Sequence, residues 1–248
     1  MVTASVDLAH GGRWTSLHAA GREWLWSRPD PARHRVRPGD PFVDAGGLEE
    51  CIPTVRGKPD HGQAWSRPWI RQDAERMLVE CDDFRLSRTL RPGDDTLVAD
   101  YRLDAAPGWP FIWAAHALLD LSEAAWLDAP SGTATRLDDG DQRTWPADLD
   151  ALGPADGTAM GAILLDCPHV SVIDGATLSF VLEAPGQPVS VALWRNLGGW
   201  PDPEPYRSIG VEPMLGRVFD RDQAGPGDAA VVPGSGFCEW RLTVEAWS

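Results

Sequence analysis

Hydrophobic positions along the chain recur with a period of two, in short runs broken by turn residues. The clearest run closes the sequence. In CEWRLTVEAW, Trp240, Leu242, Val244 and Ala246 alternate with Glu239, Arg241, Thr243 and Glu245, the pattern of a half-exposed antiparallel strand. Arg76–Glu80, Phe84–Leu90 and Thr96–Leu103 form a second clean region, separated by CDD and RPGDD, both turn chemistry. Within TLVADYRL, Leu97, Ala99, Tyr101 and Leu103 share one face, so the region predicts an antiparallel meander. Further strands are expected at Val170–Ile173, Thr177–Ala184 and Val189–Arg195. The opening predicts a hairpin, Arg13–Leu17 and Glu23–Trp26 joined through HAAGR.

Other stretches are less regular. The alanines and leucines of WAAHALLDL suit a helix, but as a strand Ile112, Ala114, His116 and Leu118 share a face. We read Phe111–Leu121 as a strand, with alanine leaving open space beside His116. Pro29–Pro41, DAGGLEECIPTV and PDHGQAWSRPWIRQD carry little period and read as ordered loops, a kind of segment that often holds function. Ala129–Gly157 is polar and rich in Gly, Asp and Pro. Its LDDGDQ lacks the spacing and distal Glu of an EF-hand and reads as a solvated turn. NLGGWPDPEPY reads as another loop. Pro and Gly supply 47 of the 248 residues and punctuate the whole length, with no composition break and no internal repeat. The expectation is an all-β fold with little helix: one large antiparallel β-sandwich domain over residues 1–248.

Charge narrows the partners. Acidic residues outnumber basic ones, 37 to 22, giving a net charge of −15. Such a field repels phosphate backbones, so neither nucleic acid nor an anionic membrane is an expected partner, and a neutral ligand is favoured. No run approaches the roughly 18 apolar residues of a membrane span. The opening MVTASVDLAHGG lacks a charged n-region and an apolar h-region, and Cys51, Cys81, Cys167 and Cys238 show no metal-like spacing. These features predict a cytoplasmic protein with buried, reduced cysteines. Thirteen tryptophans stand against two tyrosines. Trp65, Trp69, Trp113, Trp194 and Trp200 lie near the candidate polar groups, as flat rings do around a concave small-molecule site.

The candidate chemistry begins in YRSIGVEPMLG. Glu212, between Val211 and Pro213, is poorly placed for a solvated face, and a buried carboxylate is normally paired or used. His61 in PDHGQAWSRPW and His116 in PFIWAAHALLDL have comparable surroundings. One carboxylate and two imidazoles make an acid/base set. Each also has an ordinary reading: a salt-bridged carboxylate, a loop histidine satisfied by its neighbours, a core histidine. His10, His18, His34 and His169 occupy ordinary polar or turn settings and are assigned no role.

Together, and in this order, the motifs resemble the aldose 1-epimerase (galactose mutarotase-like) family over nearly the whole chain. GGRWTSLHAAGREWLW is similar to the family's opening hairpin. GGLEECIPTV and DHGQAWSRPW resemble the region of its first site histidine, His116 matches its second, and Glu212 in GVEP matches its catalytic glutamate. His116 lacks the Asn and Thr that often flank this histidine in sugar mutarotases, and the chain is shorter than a typical galactose mutarotase. The resemblance implies a supersandwich of antiparallel sheets with a cleft on one face. It also implies interconversion of the anomers of a free aldose or a derivative. Glu212 would take the C1 hydroxyl proton, His116 would protonate the ring oxygen, and His61 would share that duty, with no metal or organic cofactor required. Arg71 in RPWIRQD and Asn196 are candidate hydroxyl partners, and Trp194 and Trp65 candidate stacking walls. Two alternatives stand beside this. One is a non-catalytic carbohydrate-binding protein on the same fold. The other is a hydrolase with a second carboxylate about 5–9 Å from the first, for which Asp44 and Glu49 are available.

Overall fold

A computed structural model describes all of residues 1–248. Helix is confined to three 3-10 turns, at Arg33–Arg35, Ala64–Ser66 and Arg221–Gln223, and none is long and apolar enough to cross a membrane. Two large antiparallel sheets pack together. The first runs in spatial order Thr3–Asp7, Arg13–Ala19, Leu48–Cys51, Trp113–Leu119, Tyr206–Leu215, Val189–Trp200, Ala159–Leu164, Ala134–Leu137 and Gln142–Thr144, with the short Arg22–Glu23 beside the second of these. The other runs Trp126–Asp128, His169–Ile173, Thr177–Glu183, Phe237–Trp247, Thr96–Ala105, Phe84–Pro92, Arg76–Glu80 and Ile70–Arg71. This is the all-β antiparallel sandwich that the period of two predicts.

Alternation builds the core between the sheets. Leu97, Ala99, Tyr101 and Leu103 are buried from one strand, and Cys238, Trp240, Leu242, Val244 and Ala246 from its neighbour. Within the second sheet the paired Tyr101 and Trp240 stack with ring centroids 5.2 Å apart, and across the interface Trp113 of the first sheet tilts against both. The strand Trp113–Leu119 is buried throughout. Trp113, Ala115, Ala117 and Leu119 face the sandwich core, whereas Ala114 joins Cys51, Val55, Ile112, Ile163, Ala192 and Met214 in a smaller cluster. The outer face of the first sheet is therefore covered as well, by the early loops together with the segment holding Val218, Phe219 and Ala229.

Three stretches depart from the sequence reading. DAGGLEECIPTV contains the strand Leu48–Cys51, all four residues of which are buried. Consecutive acids hide it, because neither breaks the burial pattern. Glu49 is clamped by Arg33 through Nε and Nη2 at 2.9–3.0 Å. Glu50 accepts from Arg88, from the Tyr101 hydroxyl at 2.9 Å and from Trp113 Nε1 at 2.7 Å. Second, the stretch 129–157 holds two short strands, with LDDGDQ across the hairpin turn between them, and Ala159–Leu164 follows as another strand. Third, NLGGW continues its strand, so Val189–Trp200 and Tyr206–Leu215 form one long hairpin. The opening hairpin is also tighter than HAAGR suggests. Its strand reaches Ala19, and the turn is Ala20–Gly21, both at positive φ.

Glu50→Ala should strand Arg88, which is fully buried, and cost about 3–5 kcal/mol. Breaking the exposed Arg85–Glu80 pair with Glu80→Ala should cost under about 1 kcal/mol. Urea denaturation of the two variants checks the contrast.

Candidate active site

The register of the first sheet sets up the site. Trp113–Leu119 pairs with Tyr206–Leu215 so that Ala114 faces Met214 and Ala117 faces Val211, which sets His116 opposite Glu212. On its other side His116 pairs with Glu49, and beyond Glu212 comes Ala192. Carboxylate, imidazole and carboxylate thus stand in one row across three strands, with small alanine next in line. His116 Nε2 lies 3.6 Å from Glu212 Oε1. Glu212 is 2% exposed, and its Oε2 has no protein donor. Gly210, two residues before it, gives that carboxylate room. A Cβ there would stand 2.7 Å from Oε1 and 2.9 Å from the Cβ of Trp194.

His61 arrives from a loop rather than a strand. The segment after Leu48–Cys51 doubles back on itself. Its bonds run from His61 N to Val55 O at 2.9 Å and from Gln63 N to Ile52 O at 2.6 Å. Gly62 passes so close that a Cβ would sit 2.0 Å from Ile52 O. His61 itself adopts the left-handed conformation, φ 57°. This backbone state is uncommon outside glycine and accumulates at functional sites. Phe42 stacks flat on the His61 ring, centroids 3.6 Å apart and planes within 7°. The ring meets His116 edge to face at 5.1 Å.

These groups open on a cavity of about 340 Å³. Phe42, Val55, Trp194, Trp200 and Phe219 supply its apolar walls, and Asp44, Arg56, Asp60, His61, His116 and Glu212 its polar groups. Burial pushes the His61 imidazole below its ordinary value. Asp60, whose Oδ1 is 3.1 Å from Nδ1, pulls it part of the way back. Burial raises the Asp60 carboxyl, but the His61 imidazole beside it outweighs this and holds it low. Burial likewise pushes Glu49 up, to about 7, against the pull of Arg33 and Arg13. Asp44 accepts from the Tyr206 hydroxyl, and Tyr206 stacks on Trp26 at 4.9 Å. Arg56 lies over the Phe219 ring at 4.7 Å and pairs with Asp138 at 3.6 Å.

Of the residues singled out in the sequence, Glu212, His116, His61, Trp194 and Trp200 line this cavity together, whereas Trp69 and Trp113 belong to the core. Arg71 does not line it either. It lies on the exposed edge strand Ile70–Arg71 and donates to Ala74 O at 3.0 Å, and the arginine on the cavity is Arg56. Trp65 is buried behind Phe42, edge on at 4.9 Å, with its indole N–H bound to Gly62 O, so it supports the wall without forming it. Asn196 is also displaced from its expected role. Its amide donates to Trp200 O at 2.9 Å and accepts from Gly199 N and Trp200 N, both at 3.1 Å. It fixes the bulge that presents Trp200, whose ring meets Trp194 edge to face at 6.0 Å. Phe42, Asp44, Val55, Arg56, Asp60 and Phe219 went unmarked in the sequence analysis as cavity-lining groups, apart from Asp44 as a spare carboxylate. Only the length of the loops containing the first five pointed to them.

No family model and no curated protein sequence matches the chain. Solved structures do match it. The Slr1438 protein of Synechocystis superposes with a TM-score of 0.76 at 15% identity, over 99% of this chain and 91% of that one. A galactose mutarotase-like protein of Lactobacillus casei gives 0.67 at 16%, over 99% and 97%. A galactose mutarotase related enzyme of Lactobacillus acidophilus gives 0.66 at 14%, over 100% and 98%. The chain has the galactose mutarotase-like fold.

Histidine titration by NMR should place His61 below 6.5, and Asp60→Asn should lower it further, because burial then acts with less opposition. The folded value is depressed, so the associated stability is present above the ordinary value and lost as pH falls through the folded one. A His61 titration at or above 6.5 would contradict the assignment.

Proposed function

We propose that the cavity is the active site of an aldose 1-epimerase-like isomerase acting on a free aldose or a close derivative. The observation that carries this reading is the convergence of Glu212, His116 and His61 on one aromatic-walled hollow. Trp194 and Trp200 offer flat faces for the C–H surface of a pyranose. The Asp and Arg groups around them offer partners for its hydroxyls.

Glu212 takes the proton of the C1 hydroxyl, and His116 delivers one to the ring oxygen. The C1–O5 bond breaks, C1 becomes an aldehyde, and rotation about C1–C2 presents its other face. On closure the roles reverse: the C5 hydroxyl returns its proton to His116 as it attacks C1, and Glu212 protonates the new C1 oxygen. The second oxygen of Glu212, without a protein donor, is suited to accept from the substrate. His61, carried by Asp60 and Phe42, hydrogen-bonds beside His116 and shares the acid duty. No net proton leaves the site, and no metal or organic cofactor enters the scheme.

A hydrolase would need a second free carboxylate. Glu49 is held by Arg33, Asp44 by Tyr206 and Asp60 by His61, which favours the isomerase. Anomer exchange should be followed by saturation-transfer NMR on a panel of aldoses. Glu212→Gln should lower the enzymatic rate roughly 10²–10⁴-fold and retain sugar binding by calorimetry. Binding without acceleration by the unaltered protein would make it a carbohydrate-binding module. Neither binding nor acceleration with any sugar would overturn the reading.

A further inference from the structure

Two histidines with no part in the cavity are brought together elsewhere. His10 lies in the connection between Thr3–Asp7 and Arg13–Ala19, and His34 lies in the 3-10 turn Arg33–Arg35. Their rings meet edge to face with centroids 4.8 Å apart. Asp7 completes the group: its Oδ2 is 2.9 Å from His10 Nδ1. One ligand atom from each of the three lies within 4.8 Å of the others. None of the three lines the cavity.

The geometry points to a site for a borderline divalent transition-metal ion, Zn²⁺ being the natural probe, held by Asp7, His10 and His34 with water completing the shell. Two imidazoles and one carboxylate are a donor set that suits such ions, whereas Mg²⁺ and Ca²⁺ favour oxygen alone. Tetrahedral zinc with bonds near 2.0–2.1 Å needs donors about 3.3 Å apart. The Asp7–His10 pair is within a few tenths of an ångström of that spacing. The exposed His34 ring must close in, which a side-chain rotation on the surface allows.

The frame around the site is fixed. Asp7 Oδ1 accepts from Ala9 N at 3.1 Å and His10 N at 3.3 Å, which aims Oδ2 at the imidazole. Arg33, next to His34 in the chain, donates to His10 O at 2.9 Å. Its guanidinium is buried and compensated by Glu49, so this neighbouring positive charge already has its counter-ion. A metal here would tie the loop carrying Arg33 to the first hairpin.

The test is calorimetric titration of the metal-stripped full chain with Zn²⁺, with Mg²⁺ as control. One equivalent of Zn²⁺ should bind, Mg²⁺ should not, and Zn²⁺ should raise the melting temperature. His34→Ala, at an exposed position, should fold normally and weaken Zn²⁺ binding at least about tenfold, as should Asp7→Asn. His18→Ala, an exposed histidine elsewhere, should leave binding unchanged. Absence of Zn²⁺ binding, or equal binding by His34→Ala, would overturn the assignment, the latter placing the ion elsewhere, such as on the cavity imidazoles.

Discussion

Two consecutive carboxylates buried on opposite faces of one strand are the constraint around which the molecule is arranged. Glu50 points into the sandwich and Glu49 away from it, and each would be prohibitively costly unpaired. The solutions come from different parts of the chain. Arg88 and Tyr101 reach Glu50 from the opposite sheet, with Trp113 from the next strand. Arg33 reaches Glu49 from a loop and also binds the backbone of His10 and Trp65. One acid therefore joins the two sheets, and the other fastens the loops over the outer face. A buried polar network in which both carboxylates are paired serves more to fix one arrangement than to add raw stability.

The cavity is a by-product of that fastening. The loops that Arg33 anchors bring Phe42 and His61 over a sheet whose own register has already lined up His116 and Glu212. Strand and loop thus contribute different things. The sheet gives the carboxylate and one imidazole a rigid separation, and the loop brings the second imidazole with its own carboxylate and a stacking ring. Asn196 performs the matching service at the rim, directing three side-chain hydrogen bonds to the bulge that presents Trp200.

Much of this was legible in the sequence where side chains alternate. Leu97 to Leu103 and Trp240 to Ala246 announce their strands because one face is apolar and the other wet. Leu48–Cys51 does not, because it is buried on both faces and two of its four residues are acids whose partners lie far away in sequence. Trp113–Leu119 was ambiguous for a related reason: with both faces covered, no polar beat marks the period. Glu212 and His116 could be picked out as polar residues in apolar company, and His61 by its place in the order of motifs. Their fellow lining groups Phe42 and Arg56 sit in loops, where no period exists to say which way a side chain points. Arg71 and Asn196 show the same limit from the other side, since the family resemblance suggested the one and its amide chemistry the other, and backbone geometry directed both elsewhere.

The left-handed backbone at residue 61 carries a consequence for how this position can vary. Histidine, asparagine and aspartate tolerate that conformation far better than β-branched residues do. The turn leading into Gly62 therefore filters the choice of side chain before any chemistry is tested. A lineage that abandoned the imidazole would reach asparagine at small structural expense, and valine or isoleucine only by rebuilding the loop.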